Sequence, residues 1–178
     1  MLLITGGARS GKSRYAESLF ADERDVVYIA TAQIHDEEMR ERVRLHQQSR
    51  PETWTTFEGM YYLHRAVSEQ RKHYLLDCLS ILCSNIMFDL TEGLKKIPVD
   101  AQEEVERTVC EEIEQLAWNI REIQGRLVIV TNEVGSSIVP ENHVARVYRD
   151  ILGRVNQRVA ALCDEVYLVV CGIPMKIK

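Results

Sequence analysis

The sequence predicts an α/β fold: a doubly wound, mostly parallel sheet with helices on both faces. Three observations carry this. Short apolar runs recur at Leu2–Thr5, Val26–Ala30, Tyr74–Asp77, Leu127–Thr131 and Val166–Val170. Within each run consecutive positions are apolar, so both faces of the strand are buried, as in a parallel sheet covered by helices. Stretches of helical period separate the runs, and strand–helix alternation is the mark of this class.

Taken in order, the first run leads directly into Gly6, Gly7, Ala8, Arg9, Ser10, Gly11, Lys12 and Ser13, with a helix expected to follow. The segment 36–49 reads as an amphipathic helix, with Met39, Val43 and His46 on one side. Another helix is expected to start near Leu79. Val105, Val109, Ile113, Leu116, Ile120 and Ile123 step by three and four, so that face is core. The opposite face holds Glu103, Glu104, Glu106, Glu111, Glu112 and Glu114, read as a solvated face and not a metal site. Val144, Val147, Ile151, Val155, Val159 and Leu162 form a second stripe. The stretch Thr91–Asp100, with Gly93 and Pro98, is expected to be a mobile or variable loop. Repeats and low-complexity segments are absent.

Composition bounds the function. The 178 residues suit one domain spanning 1–178 with a real core. Apolar content of 46% and charged content of 28% are those of a soluble globular protein. A net charge of −5 gives no sign of a general nucleic-acid or membrane-surface binder. The five cysteines, Cys78, Cys83, Cys110, Cys163 and Cys171, form no C-x-x-C pair. They read as reduced, mostly packed thiols of a cytoplasmic protein. No apolar run reaches transmembrane length. With the first strand expected to begin at Met1, no signal peptide is expected.

The segment Gly6–Ser13 has the pattern G-x-x-x-x-G-K-S between a buried strand and a helix. Its glycines let backbone N–H groups curl around a phosphate chain, and the next helix aims its positive end there. Lys12 reaches the outer phosphates, and the Ser13 hydroxyl suits Mg²⁺. A glycine turn with a helix cap accounts for Ser10 and Gly11 but not for Lys12 and Ser13. The fold class expected is therefore a P-loop NTPase sheet of RecA-like type. Ligands of such sheets bind beyond the carboxyl ends of the strands. There the sequence places Gly6–Ser13, Thr31, Ala32 and Gln33, Asp77, Asn132 and Glu133, and Gly172.

Asp77 ends an apolar strand, where a carboxylate either joins Ser13 on Mg²⁺ or caps the helix starting near Leu79. Glu133 lies at another strand end. It is either a second metal-shell carboxylate, a base for an attacking hydroxyl, or the ion-pair partner of Arg146, Arg149, Arg154 or Arg158. His46 sits among Arg40, Arg42, Arg44 and Arg50. Such a histidine is commonly a boundary residue, yet a neutral imidazole is a capable nucleophile toward phosphorus. The arginines either pair with Glu37, Glu38 and Glu41 or meet phosphate. His35, His64, His73 and His143 have no metal-ligand spacing among themselves or with cysteine.

These residues together resemble a known family. Ile-Thr-Gly-Gly-Ala-Arg-Ser-Gly-Lys-Ser-Arg at 4–14, Tyr-Ile-Ala-Thr-Ala-Gln at 28–33, and His46 before Arg50-Pro51 and Trp54 carry the likeness. So do Leu-Leu-Asp-Cys-Leu at 75–79 with Asn85, Val-Thr-Asn-Glu-Val-Gly at 130–135, Ile-Val-Pro-Glu-Asn at 138–142, and Arg149-Asp150. Gly153-Arg154-Val155-Asn156-Gln157-Arg158 and the closing Gly172-Ile-Pro extend it to the end of the chain. The chain is similar to the bifunctional adenosylcobinamide kinase/adenosylcobinamide-phosphate guanylyltransferases. The resemblance implies phosphorylation of adenosylcobinamide with ATP or GTP, with Mg²⁺ as cofactor. It also implies GMP transfer from GTP through a histidine–GMP intermediate to adenosylcobinamide phosphate, giving adenosylcobinamide-GDP. The guanylylated histidine falls on His46, and the phosphate loop on Gly6–Ser13. Guanine-nucleotide contacts fall around Gln33, Ile34 and His35, around Arg50, Pro51, Glu52 and Thr53, and near Glu58. Subunits of the family assemble into homo-oligomers resembling a trimer.

Two other readings compete. One is a plain small-molecule P-loop kinase in which His46 is structural. The other is a nucleotide-dependent switch, weakened by the absence of an N-K-x-D motif.

Overall fold

A computed structural model describes residues 1–32, 37, 41 and 51–178. Among these, the strands are β1 (Leu2–Thr5), β2 (Val26–Ala30), β3 (Thr55–Glu58), β4 (His73–Asp77), β5 (Arg126–Val130), β6 (Glu165–Val170) and β7 (Ile173–Lys176). The helices are α1 (Lys12–Ser18), α2 (Leu79–Leu90), α3 (Val99–Glu122) and α4 (His143–Leu162), with a 3₁₀ turn at Leu63–Ala66. The strand order is β3-β2-β4-β5-β1-β6-β7. All neighbours pair in parallel except β6 and β7. One strand, β5, separates β1 from β4.

Alternation along each strand splits the core into two layers. Leu3, Val27, Ile29, Tyr74, Leu76, Leu127 and Ile129 face α2, α3 and α4. Leu2, Ile4, Val26, Tyr28, Leu75, Val128 and Val130 face the other way, toward Ala16 and Phe20. The continuous apolar runs follow from this double coverage. Register brings the carboxyl ends together: Ala30 pairs with Glu58 and Asp77, and Asp77 with Val130.

The helical stripes hold with three amendments. Val105, Val109, Ile113, Leu116 and Ile120 are buried, as are Val147, Ile151, Val155 and Val159, but Leu162 is 42% exposed where α4 runs out. The acidic face of α3 is not uniformly solvated. Glu106 pairs with Arg154 and Arg158 on α4, and the Glu112 carboxylate accepts the Tyr62 and Leu63 N–H groups at the 3₁₀ turn. The stretch Thr91–Asp100 is pinned: Thr91 and Ile97 are buried, the Ile97 N–H donates to His143 Nε2 at 3.3 Å, and Val99 already belongs to α3.

Strands β3 and β7 lack the apolar runs of the inner strands because both lie at sheet edges. Their residues are almost all exposed, and Pro174 is tolerated on an edge strand. No helix of the described residues is long and apolar enough to cross a membrane.

Candidate active site

The site is built from residues just past the carboxyl ends of β1, β2, β4 and β5. Gly6 leaves β1 with φ +158°, and an added Cβ there would lie 2.5 Å from the Val169 carbonyl oxygen. Gly11 has φ +96°, and its added Cβ would lie 3.1 Å from Gly172 Cα. A side chain is therefore excluded at Gly6 and disfavoured at Gly11, where the left-handed backbone and the close approach to Gly172 both oppose it, and the loop lies against the β6–β7 turn. Gly7, Ala8 and Arg9 form an exposed tip, whereas Lys12 is buried. Lys12 Nζ donates to the Gly7 carbonyl at 3.0 Å, folding over the loop.

Two features of this loop fit a phosphate chain. Helix α1 begins at Lys12 with no side-chain cap, so its first N–H groups point outward as donors. Ser10 Oγ is buried with no hydrogen-bond partner among the described residues. Ser13 stands in the first turn of the same helix.

Asp77 lies two strands away from β1, across β5. It does not cap α2, because the N-cap is Cys78, which makes no side-chain cap bond. Instead its Oδ2 accepts the Tyr28 hydroxyl at 2.8 Å, which aims the carboxylate. A hydroxyl and a carboxylate are both hard oxygen donors, so Ser13 and Asp77 are a donor set suited to Mg²⁺. Burial, aided by the Asp77 charge, pushes the Cys78 thiol up to about 11, so it stays protonated beside that carboxylate.

Glu133 is held against the phosphate loop by its backbone, whose N–H donates to the Gly6 carbonyl at 3.0 Å. Its Oε1 accepts the Gly135 N–H at 2.7 Å. The candidate arginine partners are engaged elsewhere: Arg146 with the Pro140 and Glu141 carbonyls, Arg149 with Asp150, and Arg154 and Arg158 with Glu106.

A polar network unforeseen from the sequence underlies this edge. Thr31 Oγ1 donates to the Cys78 carbonyl and accepts the Cys78 N–H. Asn85 Nδ2 donates to the Thr31 carbonyl at 2.8 Å. Asn132 Nδ2 donates to Ser80 Oγ at 2.6 Å, and Asn156 joins the Thr131 hydroxyl to the Asn132 carbonyl. Tyr148 donates to the Ser80 carbonyl at 3.0 Å. Polar residues interrupting the apolar faces of α2 and α4 mark members of this network in the sequence, but not their partners.

The remaining expected site residues do not join this site among the described residues. Gln33, Ile34, His35, His46 and Arg50 lie outside the described residues. Pro51, Glu52 and Thr53 are exposed and precede β3, at the amino edge of the sheet. Trp54 next to them donates to the Glu23 carbonyl at that same edge. Glu58 stands at the carboxyl end of β3, four strand spacings from β1, roughly 19 Å at the usual spacing.

Comparison with known proteins follows the same chain from end to end. Residues 2–177 match the family described as cobinamide kinase / cobinamide phosphate guanyltransferase. The chain is 45% identical to the bifunctional adenosylcobalamin biosynthesis protein CobU of Escherichia coli, covering 100% of this chain and 99% of that one. It is 46% identical to the protein of the same description from Salmonella typhimurium, again over 100% and 99%. The bifunctional adenosylcobalamin biosynthesis protein CobP of Pseudomonas aeruginosa is 37% identical over 99% of this chain and 96% of its own. Among solved structures, a KaiC-like protein of Pyrococcus horikoshii aligns with a TM-score of 0.48 and 14% identity, over 94% of this chain and 70% of that one.

Proposed function

Because the chain belongs to the cobinamide kinase / cobinamide phosphate guanyltransferase family, we propose that this single domain performs both reactions on adenosylcobinamide. In the first, the aminopropanol hydroxyl attacks the γ-phosphorus of ATP or GTP, and the nucleoside diphosphate leaves. In the second, a neutral imidazole nitrogen of His46 attacks the α-phosphorus of GTP, forming a P–N bond and releasing pyrophosphate. A phosphate oxygen of adenosylcobinamide phosphate then attacks that phosphorus. The P–N bond breaks, His46 is regenerated, and adenosylcobinamide-GDP forms. Covalent capture thus splits one transfer into two displacements. The observation that carries this reading is the full-length likeness to bifunctional relatives, joined to the phosphate-loop geometry at Gly6–Ser13.

The chain's own residues have separate tasks. Backbone N–H groups of the loop and the start of α1 bind the triphosphate, and Lys12 offsets charge on its outer oxygens. Tyr28 orients the Asp77 carboxylate. Ser13 and Asp77, with Glu133 as a further candidate, would hold Mg²⁺, which supplies charge neutralisation on the phosphate oxygens. Gln33, Ile34, His35, Arg50, Pro51, Glu52, Thr53 and Glu58 are the candidate guanine-nucleotide contacts. Pro51–Thr53 and the phosphate loop lie at opposite ends of the strands. The same reading makes the protein a cytoplasmic homo-oligomer, a trimer by resemblance.

The test is incubation with GTP labelled at the α-phosphorus. The expected product is an acid-labile, alkali-stable adduct on the wild type and none on His46→Ala. Label retained by His46→Ala would refute the nucleophile. Label absent from both, with adenosylcobinamide still phosphorylated, would leave the plain kinase.

A further inference from the structure

We infer that the groove between α2 and the loop after it seats the corrinoid ring, an inference resting on the function proposed above. The groove has a volume of about 670 Å³, within the range of small-molecule sites. Met60, Asn85, Phe88, Asp89, Leu94 and Val144 are among its walls. It opens at the reactive edge of the sheet. Met60 follows the carboxyl end of β3, and Val144 is in the first turn of α4, which follows β5. Asn85 Nδ2 donates to the carbonyl of Thr31, the residue past β2.

The chemistry of the walls selects the ligand. Phe88 and Leu94 are apolar yet 59% and 46% exposed, which makes an apolar platform at the groove. The charged residues of the lining are Asp89 and Glu92, with no lysine or arginine among the described lining residues. A triphosphate would be repelled there. A ring with an apolar face, a cationic metal centre and a rim of amide N–H donors is matched on each count. Asp89 is held in place by the Tyr61 hydroxyl, which donates to its Oδ2 at 2.6 Å. A corrinoid seated here lies along the same sheet edge as the phosphate loop, so its aminopropanol arm can be directed toward the nucleotide.

The test uses the full chain with adenosylcobinamide as probe, by equilibrium dialysis and steady-state kinase assay. Phe88→Ala is expected to raise KM for adenosylcobinamide by about tenfold or more, the scale of a lost aromatic anchor. Glu92→Lys is expected to weaken binding by about threefold, and less so at high salt. In both variants the Kd for GTP is expected to stay within about twofold of the wild type, since neither side chain reaches phosphate. Both residues are exposed, and thermal unfolding checks that the fold persists. If the wild type phosphorylates adenosylcobinamide but both variants match it, the groove assignment is wrong and the function stands. Equal weakening of GTP and corrinoid also overturns the groove. Failure of the wild type to bind or phosphorylate adenosylcobinamide removes both.

Discussion

The backbone N–H of Gly172 donates to the Ser10 carbonyl at 2.8 Å, tying the β6–β7 turn to the phosphate loop. Gly172 has φ +80°, and its Cα faces the missing side chain of Gly11 at 3.1 Å. The loop is shaped by a segment more than 150 residues distant in sequence. Replacing Gly11 by Ala imposes left-handed strain of about 1–2 kcal/mol and pushes the turn away. The expected result for Gly11→Ala is a lower melting temperature and GTP binding weakened by about tenfold or more, read by calorimetry. Wild-type values for both would show that the contact is idle.

Asp77 separates a metal role from a capping role. The helix after it is capped at Cys78 without a side-chain bond, so Asp77→Asn should not cost the about 0.5–2 kcal/mol of a lost cap. Asn still offers an oxygen to Tyr28, whose hydroxyl donates to Asp77 Oδ2. Kinase turnover is expected to fall by about 100-fold, with a higher Mg²⁺ requirement. Unchanged Mg²⁺ dependence together with a lower melting temperature would assign Asp77 to structure alone.

Legibility in the sequence tracks how local the cause is. Strand β1 and the loop after it could be read because apolar run, glycines, Lys12 and Ser13 are contiguous. Asp77 could be read because a carboxylate ends an apolar run. Strands β3 and β7 could not, since edge strands need no apolar face inward on both sides. Leu162 follows the stripe of α4 but lies beyond the neighbours that would cover it. Glu106 and Glu112 fit a solvated face by period, yet their partners arrive from α4 and the 3₁₀ turn. The Ser80–Asn132–Asn156 network joins positions 52 and 24 residues apart, which no local pattern encodes.

That network has a measurable cost of removal. Asn156 accepts from the Thr131 hydroxyl at 2.8 Å and donates to the Asn132 carbonyl at 3.1 Å. Thr131 is fully buried, so Asn156→Ala leaves its hydroxyl without that acceptor. The expected loss is about 1–3 kcal/mol in urea unfolding. Thr131→Val removes the donor and with it the need for that acceptor, so it should lose less. Equal losses for the two variants would show that leaving the Thr131 hydroxyl without its acceptor adds no cost.

At the opposite edge of the sheet, the starts of β2 and β4 are joined by an acid-sensitive contact. His73 Nδ1 lies 2.6 Å from Asp25 Oδ1 and 3.7 Å from Glu23 Oε2. Burial pushes the Asp25 carboxyl up. The hydrogen bond to His73, the Lys72 N–H and the His73 charge more than offset this, leaving it below its ordinary 3.8. The folded protein therefore binds that proton more weakly than the unfolded chain does. The stability Asp25 contributes is fully present above its unfolded value and is lost as pH falls through the lower, folded value. Urea unfolding of wild type and Asp25→Asn from about pH 6 to about pH 3 reads this directly. The wild-type advantage is expected to hold steady down to about pH 5 and to shrink below about pH 4. An advantage that grows on acidification would reverse the sign and show that burial, not His73, governs this carboxyl.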